Sequence, residues 1–340
     1  MASHPFFRVG RHLRSRSLLA TLAASALLGV TACAADTTGV TVTTDTGAAV
    51  GTSGPGVAPR TPDDVSSDSG LTETLRELEK SYDGRIGAVG IDLGTGRAVG
   101  YRADERFPFN SSFKVFACAA VLDRARTGEP GLMDEVVRWK PADMAGLTGN
   151  SPETTEYTDT GMTPAQFCRA GITKSDGFAG NMLLEQIGGP RGLTGFFRDT
   201  GDRTSRLDRP EPRLTEWAPG ETRDTTTPAA AARTFSELTT GDTLHPRDRA
   251  RLVGWLKASL TGTKRIKAGL PGDWTVGDKT GTGGASNHGT ANDLAIAWPP
   301  GSDAPVVLSV FTRRNLDGTG HDDTVIASAA TALAEALGKL

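Results

Sequence analysis

Ser111 and Lys114 stand three residues apart at the head of an apolar run, Val115-Phe116-Ala117-Cys118-Ala119-Ala120-Val121-Leu122. The run reads as a buried helix, so both side chains share one face, with β-carbons about 5–6 Å apart. A serine hydroxyl becomes a useful nucleophile only when a neighbouring base takes its proton. A lysine can be that base where burial beside other cations lowers its pKa. Alone the pattern is weak, because a capped helix carrying a solvated lysine is spelled the same way. Its weight depends on what the distant chain brings to it.

Two later stretches offer partners. Lys174-Ser175-Asp176-Gly177 falls between a helix ending near Ile172 and another starting around Asn181, which puts Ser175 on a short loop. A hydroxyl there can relay a proton between the lysine and a leaving group. Val276-Gly277-Asp278-Lys279-Thr280-Gly281-Thr282-Gly283-Gly284 reads as a strand running into glycines. Lys279 and Thr280 would present a cation and a hydroxyl to a carboxylate, and Gly281 and its neighbours let a substrate lie against the strand edge. Taken singly, these are a polar loop and a bulged edge strand. The five histidines are scattered and no Cys/His cluster has metal spacing, so neither a metal nor any other cofactor is expected.

The elements that must position these residues are legible from periodicity. Leu71, Leu75, Leu78 and Tyr82 recur at helical spacing with charged residues between them. Residues 86–92 and 97–101 form a hairpin around Gly94-Thr95-Gly96. Residues 306–312 make a further strand, and the alanine-rich 324–340 a final helix. Strands at both ends and helices in the middle predict an α/β sandwich, with a helical lobe inserted between the two parts of one sheet.

The 340 residues carry a net charge of −3 with no basic block along the mature chain, which argues against nucleic acid as a partner. The N-terminus differs from the rest. Arg8, Arg11, Arg14 and Arg16 precede an uncharged stretch over 18–30, the basic and apolar regions of an export signal. Ala32-Cys33-Ala34 fits ordinary leader cleavage, whereas Val30-Thr31-Ala32-Cys33 resembles a bacterial lipoprotein box in which Cys33 is lipidated. Residues 34–68, poor in large apolar side chains, are expected to be a flexible tether. The chain is thus expected to be exported, either secreted or attached to the cell membrane through Cys33, with the folded domain over 69–340. Cys118 and Cys168 remain as an even pair in an exported chain. They are either two buried thiols or a disulfide, which would add about 4 kcal/mol on the chain-entropy model.

In combination the motifs carry more. Ser-x-x-Lys, then Ser-Asp-x, then Lys-Thr-Gly, in this order and at wide spacing, resembles the penicillin-recognising serine acyltransferases, and in particular the class A serine β-lactamases. The resemblance runs from about residue 71 to 340. Arg206-Leu207-Asp208-Arg209-Pro210-Glu211-Pro212, continuing to Pro228, looks like that family's Ω-loop. Cys118 and Cys168 fall where some members place a disulfide. The implied fold is a five-stranded antiparallel sheet with packed helices plus an all-helical lobe, with the active site between them. The implied state is a monomer acting on small β-lactams.

The resemblance also implies roles. Ser111 attacks the lactam carbonyl, and the N–H groups of Ser111 and Thr282 form an oxyanion hole worth about 3 kcal/mol per donor. Lys114, or Glu211 through a water, takes the serine proton. Ser175 passes a proton to the departing nitrogen, and Glu211 activates the water that hydrolyses the ester. Lys279, Thr280 and Thr282 hold the substrate carboxylate, with Arg265 as an additional cation. Trp139 stands in the place of an aromatic wall, and Arg209 with Asp224 pins the loop.

Three departures bear on performance. Gly177 stands where the family has an asparagine that meets the substrate's side-chain amide. Thr215 replaces an asparagine that holds the hydrolytic water, which predicts slower deacylation. Residues 141–160 look longer than usual and are expected to form an extended rim. Two other readings share the serine and lysine: a sensor that stays acylated, and a D-alanyl-D-alanine peptidase. Glu211 argues against both.

Overall fold

The structure, a computed structural model, describes residues 64–340. The export signal, Cys33 and nearly all of the expected tether lie outside the described residues. Helix α1 (Ser69–Tyr82) starts where the Asp68 carboxylate accepts the Leu71 N–H at 3.0 Å. This cap satisfies one of the donors that a helix start leaves open. Strands β2 (Gly84–Asp92) and β3 (Ala98–Tyr101) follow as the expected hairpin. The C-terminal part supplies β6 (Thr275–Gly284), β7 (Thr290–Trp298), β8 (Val306–Arg314) and helix α8 (Asp323–Ala336).

Both chain ends build one sheet, in the order β1-β3-β2-β8-β7-β6, where β1 is Ser66–Ser67. Five strands are antiparallel as expected, but the sheet has six. The extra strand is β1 (Ser66–Ser67), which runs parallel to β3 with Ser66 beside Val99. Composition had assigned these serines to the tether. The Ser66 hydroxyl donates to the Ala98 carbonyl at 2.7 Å, so polar residues with no core to offer are held by edge hydrogen bonding. A short second ladder joins β4 (Phe107–Pro108) to β5 (Thr225–Thr226).

The sheet is covered on both faces, which is why β2 and β8 read as nearly continuous apolar runs rather than alternating ones. On one face Leu71, Leu75 and Tyr82 of α1 pack with Val325, Ile326 and Leu333 of α8. The other face carries helix α6 (Pro228–Thr240) and the helical lobe, formed by α2 (Phe113–Thr127), α3 (Pro164–Thr173), α4 (Gly177–Gln186), α5 (Gly189–Asp199) and α7 (Pro246–Lys257). Helix α2 is the axis of the lobe: every residue from Phe113 to Leu122 is buried. It is apolar all round because helices and sheet enclose it on all sides. Phe109, Phe116 and Phe197 form an aromatic cluster at its base, with ring centroids 5.3–5.7 Å apart. Cys118 of α2 is joined to Cys168 of α3 by a disulfide.

Candidate active site

Ser111 occupies a single 3-10 turn, Asn110–Ser112, immediately before α2. Asn110 reaches this turn with φ of 45°, in the left-handed region that few side chains enter. Its cost is met by burial and by the bond from Asn110 Nδ2 to Thr290 Oγ1 at 3.2 Å, which ties the turn to β7. Strand β6 passes alongside. A side chain at Gly281 would come within 2.6 Å of the Phe109 carbonyl, so only glycine lets this strand approach the nucleophile's turn so closely. That approach brings the end of β6 against Phe109 and Asn110, the residues that lead into Ser111.

Lys114 lies one turn into the helix and is fully buried. Its Nζ lies 2.6 Å from Ser111 Oγ, 3.0 Å from the Ser175 carbonyl and 2.9 Å from Glu211 Oε1. The same Glu211 oxygen accepts the Ser111 hydroxyl at 3.2 Å. Nucleophile, lysine and carboxylate thus form a closed triangle of hydrogen bonds, although Glu211 is 100 residues from Ser111 in sequence. Ser175 lies opposite, its loop held by a left-handed residue at Ser175 itself, φ 58°. Lys279 donates to Ser175 Oγ at 3.0 Å and to the Thr280 carbonyl at 2.7 Å. Complete burial, and then the positive charge of Lys114, push the Lys279 ammonium well below the usual lysine range.

The loop carrying Glu211 is fixed from both ends. Arg209 Nε donates to Asp224 Oδ2 at 2.6 Å, and the Asp208 and Arg209 N–H groups donate to Asp224 Oδ1 at 2.7 and 2.8 Å. Both partners are buried, so this is a desolvated clamp and not a solvated surface pair. Asn181 on α4 was not singled out by sequence, yet it hydrogen-bonds to the Glu211 backbone twice. A lone asparagine on a helix has no motif to announce it; only its position one turn beyond Gly177 hints at the site.

The remaining expected residues fall as follows. Arg265 is buried, with Nη2 2.7 Å from Thr282 Oγ1, Nη1 on the Gly281 and Asn292 carbonyls, and Nε on Asp323. Thr280 Oγ1 lies 2.7 Å from Thr261 Oγ1. Thr215 spends its hydroxyl proton on the Pro212 carbonyl at 2.8 Å, which leaves only lone pairs for a water. Trp139 differs from expectation: it is turned into the lobe at 7% exposure, between Phe167 and Phe178, with Nε1 on Met144 Sδ at 3.3 Å. The long segment after it supplies Met144 and Leu147 as cover, and a large indole gains more from this burial than from a place at the mouth.

Ser111, Lys114, Ser175, Glu211 and Lys279 therefore converge from the turn before α2, α2 itself, the α3–α4 loop, the Ω-loop and β6. An activated hydroxyl, a carboxylate able to serve it and a cationic edge strand together suit acyl transfer followed by hydrolysis. The β-lactamase enzyme family model matches residues 70–337. The chain belongs to the class A serine β-lactamases. It is 42% identical to the β-lactamase AST-1 of Nocardia asteroides over 98% of both chains. A solved β-lactamase from Streptosporangium roseum is 51% identical and superposes with a TM-score of 0.78, covering 80% of this chain and all of that one. The class A β-lactamase of the last common ancestor of Gram-negative bacteria is 47% identical, with a TM-score of 0.73 over 79% of this chain and all of that one.

Proposed function

We infer that this chain hydrolyses the lactam amide of penicillins and cephalosporins through an ester on Ser111 and so confers β-lactam resistance. The observation that carries the hydrolytic half is Glu211 Oε1, within 3.2 Å of Ser111 Oγ and 2.9 Å of Lys114 Nζ. Ser111 Oγ attacks the carbonyl carbon and gives up its proton. The Glu211 carboxylate, whose Oε1 accepts the Ser111 hydroxyl at 3.2 Å, takes that proton. The ring C–N bond then breaks, and Ser175 passes a proton to the nitrogen and is resupplied by Lys114, which in turn recovers the proton held on Glu211 across 2.9 Å, so that Glu211 is again a carboxylate. Backbone N–H groups of Ser111 and Thr282 hold the oxyanion. Glu211 next takes a proton from water, hydroxide adds to the ester carbon, and Ser111 leaves with the proton returned to it. Lys279, Thr280, Thr282 and the cation of Arg265 meet the substrate carboxylate.

The basic and apolar leader supports export, and Val30-Thr31-Ala32-Cys33 supports attachment through a lipidated Cys33. Lipidated enzyme sediments with membranes and loses this on Cys33→Ser; a soluble mature form beginning at Ala35 would favour ordinary cleavage. Exposed large apolar residues among those described are few and dispersed, Val136, Leu260 and Leu316 among them, which supports a working monomer. The deciding experiment is to mix purified protein with nitrocefin. Colour that continues beyond one equivalent supports the hydrolase; colour that stops there supports a sensor.

A further inference from the structure

The rim segment that follows Trp139 is bolted to the loop that carries Ser175. The Asp176 carboxylate accepts the N–H groups of Glu153 and Thr154 at 3.0 and 2.9 Å, the Thr154 hydroxyl at 2.9 Å, and the Ala179 N–H at 2.9 Å. Ser151, fully buried, accepts the Phe178 N–H at 3.0 Å. The Glu153 carboxylate pairs with Arg169 and, at 3.2 Å, with Lys174, the residue before Ser175. A segment tied down by this many bonds to buried groups presents its remaining side chains in fixed positions.

One of those is Asn150. It sits between buried Leu147, whose carbonyl accepts its N–H at 2.9 Å, and buried Ser151, yet is itself exposed. Its carboxamide makes no hydrogen bond among the described residues, so two donors and an acceptor are unspent. It also fills a particular space. A β-carbon at Gly177 would lie 3.1 Å from Asn150 Nδ2 and 3.1 Å from the Asn150 carbonyl. A carboxamide from 27 residues earlier in the chain thus lies directly against the position where a side chain at 177 would begin.

We propose that Asn150 is a specificity-determining residue whose carboxamide hydrogen-bonds the exocyclic amide of acylamino-bearing β-lactams, in the place vacated at Gly177. The proposal rests on the hydrolytic reading above. An exocyclic amide carries one N–H and one C=O, which a single carboxamide satisfies reciprocally. Glycine at 177 is then the complement of the rim: an asparagine there would have to displace Asn150 by several tenths of an ångström.

The test compares benzylpenicillin with 6-aminopenicillanic acid, which has the same ring system but a free amine in place of the amide. Asn150→Ala raises KM for benzylpenicillin about tenfold, the scale of one or two lost hydrogen bonds, and leaves 6-aminopenicillanic acid unaffected. Equal effects on both substrates, or none on either, would overturn the proposal. A second arm uses coupling. Gly177→Asn alone gives no gain, whereas in the Asn150→Ala background it restores the benzylpenicillin KM; strictly additive effects of the two changes would also overturn it. Wild-type protein that turns over neither substrate would instead remove the hydrolytic reading itself.

Discussion

Asn181 and Glu211 hold each other by a reciprocal pair of bonds: Asn181 Nδ2 donates to the Glu211 carbonyl at 2.9 Å, and the Glu211 N–H donates to Asn181 Oδ1 at 2.9 Å. One side chain thereby fixes both backbone polar groups of the residue that must face the ester. The carboxylate's position is set from helix α4 and not from the loop alone.

Removing that grip leaves Glu211 present but unplaced. Asn181→Ala is expected to slow deacylation about 10- to 100-fold, the equivalent of two hydrogen bonds of ordinary strength. Intact-mass trapping with penicillin should find acylated protein accumulating. Asn181→Asp, which keeps the acceptor for the Glu211 N–H, should fall between; an Ala variant with no burst and unchanged kcat would contradict the positioning role.

Glu211→Gln keeps the shape and loses the basicity. A general base contributes about 10²–10⁴-fold, so the ester at Ser111 should persist and be visible by stopped-flow with mass detection. Ser111→Ala should give no adduct at all. Since Thr215 has already committed its proton to Pro212, Thr215→Asn is expected to speed deacylation in the wild-type background. An unchanged rate there would show that the water is held by other groups.

Lys279 makes a pH prediction. Its pKa is depressed by burial and by Lys114, so its charge is present below the folded-state pKa and lost as pH rises through it. The profile of kcat/KM, which reports the free enzyme, should therefore fall on an alkaline limb that lies below the ordinary lysine range. Lys279→Arg keeps its charge at any accessible pH and should move or abolish that limb. A limb identical in both proteins would assign it to another group.

The clamp at the base of the Ω-loop predicts a stability effect. Asp224→Ala strands the buried Arg209 guanidinium and two N–H groups, and the loss of one member of a buried pair typically costs about 3–5 kcal/mol. Urea denaturation would measure it. Asp224→Asn retains an acceptor and should cost less; equal losses for both would mean that charge is irrelevant to the clamp.

The sequence by itself determined the features that depend on local geometry. Ser111 and Lys114 meet because three residues of helix bring them to one face, and the α1 stripe of Leu71, Leu75 and Tyr82 is buried as its period requires. The ordered motifs and the Ω-loop then identified the partners by kind. Only the tertiary structure decided which distant atoms meet. The grip of Asn181 on Glu211, the burial of Trp139 beneath its own rim, the pairing of Ser66–Ser67 at the sheet edge and the seat of Asn150 over Gly177 carry no spelling in the chain. The physical reason is that helical and strand periods are imposed by backbone sterics within a few residues. Contacts across long loops are chosen by the collective packing of the lobe and sheet, which no short stretch of sequence contains.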